Sequence, residues 1–535
     1  MIASIVIPTV ATLLASVACY ALKVLYDNWT SPLRFIDGPP CANPFIGHAA
    51  LVFDVPDTTD KWREQYGPTF MAKGLFCEDD LHTTDLKAVS HILSHGAIYP
   101  KTRALLSTLR EILGDGILAR KILSPAFGPQ QLRVMNEVFV EKGNLLCEML
   151  AKEVETAGGT LKTDVSDWFR QVTLDIIGEA GFGYQFNSLE SHGKEEGELS
   201  AVFSQLLYDP NINFYRTFQA AQAVVPILRV LPLPGWTLTR YANKKLRAIG
   251  KELLKKSKAE SAALGSKDLG SGRDLLSLLV KANMSSEVSD SQRMSDDEVI
   301  AQIPTFFLAG HETSSTALAW AMHALSHDQS VQNKLRQELL SIPTDTPTMD
   351  ELDALQFLDN VLRETMRLYA PAVSGQRAAS RDDVLPLSKP YVDRQGVRHE
   401  SLPIRKGQLC TIPILAINTS KELWGEDALE FRPDRWNNLP EAVHAIPGVW
   451  AHQLTFLAGP HSCMGFRFTI VEQKAILFGL LRNFVFFPAS DEVKPAVSAS
   501  FQRPISFVSG SDKPGLVSLG GLQVVIKPYN GEVHA

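Results

Sequence analysis

A mainly α-helical fold with a smaller β-sheet region is what this 535-residue sequence predicts, and three observations carry the prediction. Between Gln130 and Gly183 apolar residues recur at helical spacing, as at Val134, Val138 and Leu145 and again at Trp168, Val172 and Ile176. Stripes of that period are the buried faces of helices. Ser295-Asp296-Asp297-Glu298 has the form of a capping box, in which serine and glutamate satisfy each other's free backbone donors, so a long helix is predicted from about Asp296 to about His327. Residues 373–417 then change to short, alternating, β-branched segments, with a turn at Arg405-Lys406-Gly407 and a strand predicted over Gln408 to Ile414.

Composition narrows the function. Hydrophobic residues make up 45% of the chain, enough for a large core. A net charge of -7 and a pI near 6.0, with no strongly basic patch, argue against a nucleic-acid partner. The cysteines, Cys19, Cys41, Cys77, Cys147, Cys410 and Cys463, are too few and too scattered for a disulfide framework, so reduced thiols are expected. No internal repeat stands out.

Taken in order, the chain begins with an almost unbroken apolar run from Ile2 to Leu25, long enough for a helix of about 20 residues that crosses a bilayer. Ala18-Cys19-Tyr20-Ala21 loosely offers the small residues of a signal-peptide cleavage site. No basic residue precedes the run, however, and Lys23 and Arg34 follow it, which favours a single anchor with the downstream side in the cytosol. Asp37-Gly38-Pro39-Pro40 and Pro44 form a stiff, turn-rich segment. The expected organisation is therefore a transmembrane anchor over 1–25, a proline-rich hinge over 26–45 and a catalytic domain over 46–535.

Residues 58–66 read as a short helix ended by Gly67-Pro68, and Thr69 to Thr84 as a strand pair. Residues 214–236 are apolar but broken by Pro226, Pro232 and Pro234, which suits a loop dipping into a membrane surface or a lid over an apolar pocket. A flexible connection is expected over 259–272, which is polar and rich in Ser, Lys and Gly. Within the long helix lies Ala309-Gly310-His311-Glu312-Thr313, and an acid beside an alcohol in an apolar helix is costly unless it is hydrogen-bonded or used. Pro304 removes one backbone bond and predicts a kink near Phe306 and Phe307. Glu364 and Arg367 share one face of a helix predicted from about Leu358 to Tyr369.

The most informative stretch is Phe456-Leu457-Ala458-Gly459-Pro460-His461-Ser462-Cys463-Met464-Gly465. Gly459 and Pro460 shape a tight turn, and an amphipathic helix from Phe466 to Leu481 starts just behind Cys463, where its positive end favours a thiolate. A buried free cysteine in a turn is the plainer alternative. This loop resembles the heme-binding loop of the cytochromes P450, and Ala309 to Thr313, Glu364 to Arg367 and Phe431-Arg432-Pro433-Asp434-Arg435-Trp436 follow the family's order. The likeness extends over most of residues 30–525 and is closest in style to membrane-anchored fungal members.

The resemblance implies a cytochrome P450 fold and heme b, with Cys463 as the axial iron ligand and Phe456, Gly459, Gly465, Ala309 and Gly310 lining the cofactor. It implies that Glu312 relays protons and that Thr313 manages them at the dioxygen site, and that Glu364, Arg367 and Arg435 form a buried structural triad. Arg120, Arg377 and His461 would hold the heme propionates. Two departures accompany them: Gly116 stands four residues before Arg120 where the family has Trp or His, in a stretch that looks shortened, and His461 replaces an Arg. Phe306, Phe307, Ala309 and Val373 would edge a substrate pocket, with Phe501 nearby.

The implied activity is monooxygenation, inserting one oxygen atom from O2 into a lipophilic small molecule, a secondary metabolite such as a terpenoid. No flavin or nicotinamide fingerprint is present, so electrons would come from a separate NADPH-dependent cytochrome P450 reductase, with membrane lipid as the other partner and the endoplasmic reticulum membrane, cytosolic side, as the location. Two alternatives stand beside it: an O2-independent rearrangement or dehydration enzyme, against which the intact Glu312-Thr313 pair speaks, and a decayed, non-catalytic heme-binding protein.

Overall fold

The computed structural model describes residues 2–531 except 45, 49–57, 75–76, 104, 107–123, 193–221, 223–235, 265–273, 285–293, 499–500 and 510–515. The helices that frame the molecule and its site are α1 (Ile2–Thr30), α2 (Thr58–Tyr66), α3 (Leu86–Ser94), α4 (Pro129–Thr156), α5 (Val165–Phe182), α6 (Trp236–Leu264), α7 (Asp296–His327), α8 (Gln356–Leu368) and α9 (Phe466–Asn483). Four strands form the sheet nearest the site: β1 (Thr69–Lys73), β2 (Asp79–Thr83), β3 (Gly375–Ala378) and β4 (Leu409–Ile412), in the order β1-β2-β4-β3. The predicted α-rich body with a smaller β region is what the chain forms.

Two apolar cores divide the molecule. In the helical one, Trp168, Phe169, Val172 and Ile176 of α5 meet Ile303 and Phe307 of α7, and Ile476, Leu477 and Leu480 of α9 are fully enclosed. Burying each such side chain contributes about 1.5–3 kcal/mol, which holds α7 and α9 in place. The second core lies under the sheet, where Leu81, Val89, Ile92, Tyr99, Cys410 and Ile412 pack together. Phe456 belongs to the first core and Ala458 to the second, so the cysteine loop occupies the seam between them.

Several expectations change here. The predicted strand over Gln408 to Ile414 is shorter, because Pro413 cannot donate to a ladder and caps a short helix at Ile414–Asn418. The first part of the expected connection over 259–272 is helical, since α6 runs to Leu264: Ala, Lys and Glu are strong helix formers and no breaker comes before Gly265. Residues 265–272 of that connection lie outside the described residues, as do residues 214–221 and 223–235 of the expected lid.

Cys41 and Cys77 are joined in a disulfide, which corrects the expectation of reduced thiols throughout. They are 36 residues apart, and the proximity arises because the segment after α1 folds back on the sheet: Met71 N donates to Asp37 O at 2.9 Å and His48 N to Lys73 O at 2.8 Å. Close backbone packing is part of this, as a Cβ on Gly38 would stand 2.0 Å from Met71 O. The expected hinge is thus a packed segment, and helix α1 continues five residues past the expected end of the anchor. Among the described residues no helix is long and apolar enough to cross a membrane, so the expected span is not supported there. The side chains of residues 2–10, the first part of the apolar run, are outside them.

Candidate functional site

Cys463 stands exposed at the end of a loop whose path is dictated by two left-handed residues, Leu457 at φ 55° and Gly459 at φ 66°. Only glycine fits the second position, because a Cβ there would come within 2.1 Å of Leu93 O at the end of α3. Cys463 N donates to Phe456 O at 2.8 Å and closes the loop, while the Phe456 ring is wedged between Trp450 and Phe466 at centroid distances of 5.6 and 5.9 Å. Helix α9 begins three residues after the cysteine, so its positive end lies on the sulfur side. Gly465 is different from Gly459: a Cβ there would meet only the Phe127 ring at 3.8 Å. Protein packing therefore does not require glycine at 465, and the backbone is left open on that side for a flat group.

A buried arginine and a half-buried lysine adjoin this loop. Arg377, on β3, is 3% exposed; its Nη1 donates to Gln376 O at 2.9 Å, whereas Nη2 has no partner among the described residues. Burial pushes its guanidinium below arginine's usual pKa, and no acid offsets this. Lys101 forms an isolated bridge with Arg377, and burial, then the Arg377 charge, lower its pKa, with Cys463 acting in the opposite sense. A desolvated guanidinium with no acid among the described residues is costly, so Arg377, with Lys101 beside it, suits an acidic group from outside the protein. The two carboxylates of a heme, with iron at the Cys463 sulfur, meet that requirement. Arg377 is thus buried beside the loop where the sequence reading put it; Lys101 was not singled out, as nothing local distinguishes it from a surface lysine.

The other expected propionate ligands fare differently. His461 turns toward the end of α3, its Nε2 3.3 Å from Gly96 O and its ring so close that a Cβ on Gly96 would lie 2.8 Å from His461 Cδ2. Arg120, with Gly116, lies outside the described residues.

On the opposite side, α7 starts with the predicted capping box: Glu298 N donates to Ser295 Oγ at 3.3 Å and Ser295 N to Glu298 Oε2 at 2.7 Å. The helix passes through Pro304 without ending. Ala309 is exposed on this otherwise largely buried helix, and the Thr313 hydroxyl donates to its carbonyl at 2.7 Å. Gly310 lets α7 close on α5, since a Cβ there would be 3.0 Å from Ile177 Cδ1. Phe306 is half-buried and faces Phe127, 6.2 Å away, on the side of Gly465. Phe307 corrects the expected pocket list: it is fully buried in the helical core, 4.5 Å from Phe182 and 5.2 Å from Phe186. Val373 is half-buried, and Phe501, half-exposed, bridges to its neighbour Ala372.

The structural triad forms behind the loop. Arg367 binds Glu364 with two parallel bonds, Nε to Oε2 at 2.9 Å and Nη2 to Oε1 at 2.8 Å, and Arg435 Nε reaches Oε1 at 3.2 Å. Trp436 Nε1 adds a bond to Oε2 at 3.0 Å, and Asp427 Oδ1 accepts from Arg435 Nη1 at 2.7 Å. Asp427, half-buried at the edge of the cluster, brings a second carboxylate to Arg435 and also pairs with Arg432 Nη2 at 2.6 Å, and it too was not singled out in the sequence.

Glu472, on α9, is a further buried acid, and neither carboxyl oxygen has a hydrogen-bond partner among the described residues. Ser314 of α7 faces it, likewise fully buried. Burial pushes the Glu472 carboxyl up from 4.5 to about 8. The folded chain therefore holds a proton that the unfolded chain releases, and the stability from this group is complete below about 4.5 and is lost as pH rises toward about 8. Glu472→Gln, which cannot ionise, is expected to match the wild type in melting temperature near about pH 5 and to exceed it by several degrees near about pH 8. Parallel melting curves of the two proteins across that range would refute the buried-acid assignment.

A cysteine left open at a helix start, with a buried arginine nitrogen beside it that has no partner among the described residues, suits a thiolate-bound heme. Comparison with known proteins specifies the family. The family model described as Cytochrome P450 matches residues 37–511. Cytochrome P450 monooxygenase 128 of Postia placenta is 43% identical over 89% of this chain and 90% of its own, and Cytochrome P450 monooxygenase 205 of the same fungus 42% identical over 95% of each. Ganoderic acid synthetase CYP5150L8 of Ganoderma lucidum is 33% identical over 88% of this chain and 91% of its own. A solved cytochrome P450 structure, CYP102L1, shares the fold at a TM-score of 0.64 and 20% identity, over 87% of this chain and 93% of its own. The chain belongs to the cytochrome P450 family, whose members are heme-dependent monooxygenases.

Proposed function

We propose that this enzyme hydroxylates or further oxidises a lipophilic secondary metabolite such as a terpenoid, with electrons from NADPH-dependent cytochrome P450 reductase in the endoplasmic reticulum membrane. The observation that carries the reading is the open face of α7, where exposed Ala309 and half-buried Phe306 present an apolar surface next to Thr313. Such a surface excludes water and recognises carbon rather than charge. The relative named for ganoderic acid synthesis supports a substrate of this kind. For the membrane, the support is α1, whose described part leaves Leu14, Leu22, Leu25, Tyr26 and Trp29 well exposed.

A thiolate-ligated heme supplies activation of dioxygen and insertion of one oxygen atom into a C-H bond. The chain's own part begins with the Cys463 loop, which holds the sulfur at the positive end of α9. Lys101 and Arg377 would hold the heme carboxylates. Thr313 keeps one hydroxyl proton at the reaction side, parked on Ala309 O at 2.7 Å and free to swing to a better acceptor. Glu312, the next residue along the helix and with its side chain 14% exposed, would replenish the proton from solvent.

Co-expression with the reductase in yeast, feeding of terpenoid extracts under labelled dioxygen and mass analysis test the function. One labelled oxygen atom per product molecule is expected, and turnover without label would favour the O2-independent alternative. Carbonate washing of the same microsomes should leave the enzyme in the pellet; its release would remove the anchor from the proposal.

A further inference from the structure

His311 lies between Gly310 and Glu312, and nothing in the reaction outlined above gives it a task. It is 3% exposed, and both its ring nitrogens point at polar atoms. Nδ1 is 3.0 Å from Thr173 Oγ1 on α5, and Nε2 is 3.3 Å from Glu312 Oε1. The Thr173 hydroxyl also reaches Phe169 O at 2.8 Å and the backbone carbonyl of His311 at 3.2 Å. With its one proton given to Phe169 O, the shortest of these contacts, the hydroxyl accepts from the ring, so a side chain on α5 is tied to the imidazole of α7 at the residue before the acid.

This tie depends on Gly310. Because that residue has no side chain, Ile177 comes close enough for α5 and α7 to touch at this turn, which brings Thr173, one helical turn earlier on α5, within reach of the ring. With Thr173 at one end, the imidazole cannot swing, and its other end meets the Glu312 carboxyl from the buried side. A flexible glutamate side chain loses much rotamer freedom when it is held, and a fixed partner makes its position reproducible.

We propose that His311, anchored by Thr173, is a positioning residue that sets where the Glu312 carboxyl stands and so the direction from which protons reach Thr313. The proposal rests on the reading that Glu312 and Thr313 handle protons. Its distinguishing feature is dependence: removing the histidine should matter only while Glu312 is there to be positioned.

The test uses the full-length holoenzyme with its reductase and NADPH, no substrate added, and reads the partition of consumed oxygen between hydrogen peroxide and water. Each variant is scored per heme, counted from the carbon-monoxide band of the reduced protein. His311→Phe is expected to change the partition in the same direction as Glu312→Ala, by roughly threefold or more, as befits groups in contact. Adding His311→Phe to Glu312→Ala should change nothing further, and His311→Gln, whose amide reaches the Nε2 position, should restore most of the effect. Thr173→Val removes the anchor from the other helix and should reproduce His311→Phe, which keeps the test intact if the phenylalanine variant takes up no heme. Full additivity of His311→Phe and Glu312→Ala, or wild-type partition in both His311→Phe and Thr173→Val while Glu312→Ala is altered, overturns the proposal alone. An unaltered partition in Glu312→Ala overturns the relay reading and the proposal together.

Discussion

Cys463→Ala is expected to eliminate monooxygenation and the thiolate-type absorption band of the reduced, carbon-monoxide-treated protein, while the fold survives. The fold should tolerate the change because the side chain is exposed and the loop is held by other means. Gly459 under Leu93 and the bond from Cys463 N to Phe456 O both remain with alanine. What is lost is the thiol at the seam between the two cores, and no other described cysteine can replace it: Cys147 and Cys410 are buried elsewhere, and Cys19 is on α1. Burial raises the thiols of Cys147 to about 12 and of Cys410 higher still, so neither offers a thiolate at neutral pH. A thiolate band in the purified Cys463→Ala protein would transfer the ligand assignment to another residue.

Glu364→Ala should be as damaging, by a different route. It leaves Arg367 fully buried and Arg435 nearly so, with Asp427 as the one carboxylate remaining in the cluster. Breaking a buried ion pair in this way costs about 3–5 kcal/mol, against a total stability of roughly 5–15 kcal/mol for a folded protein. The backbone at Arg432 and the Trp436 indole also lose their acceptor. Since α8 and the Arg432 to Trp436 segment are joined mainly through this carboxylate, the support behind the Cys463 loop loosens. The expected result is little soluble protein and little bound heme. Glu364→Gln keeps the shape and the acceptor oxygen but not the charge, and should fall between. Wild-type heme content and denaturation midpoint in Glu364→Ala would show that the triad is dispensable.

Much of this site was legible in the sequence. The capping box at Ser295, the pairing of Glu364 with Arg367 and the helix behind Cys463 depend on residues within a few positions of one another, so local spacing carries them. Lys101 and Asp427 were not legible, because a single charged residue has no pattern of its own and its role comes from a partner far along the chain. Phe307 shows the limit from the other side: it was grouped with Phe306 as an aromatic pair, but one helical step turns it into the core. The Cys41–Cys77 disulfide was hidden by a separation of 36 residues that the fold closes.

Side-chain period and short-range spacing carried the helical character of the chain, whereas the readings of Cys463, of the Glu312-Thr313 pair and of Glu364, Arg367 and Arg435 drew on the resemblance of their motifs to a known family. The fold alone reveals that Arg377 has no acid among the described residues, that Phe306 lies toward the open side of α7, and that Thr173 reaches His311. Those depend on which distant segments meet and how deeply they are buried, and burial is what gives a charge or a hydroxyl its energetic weight.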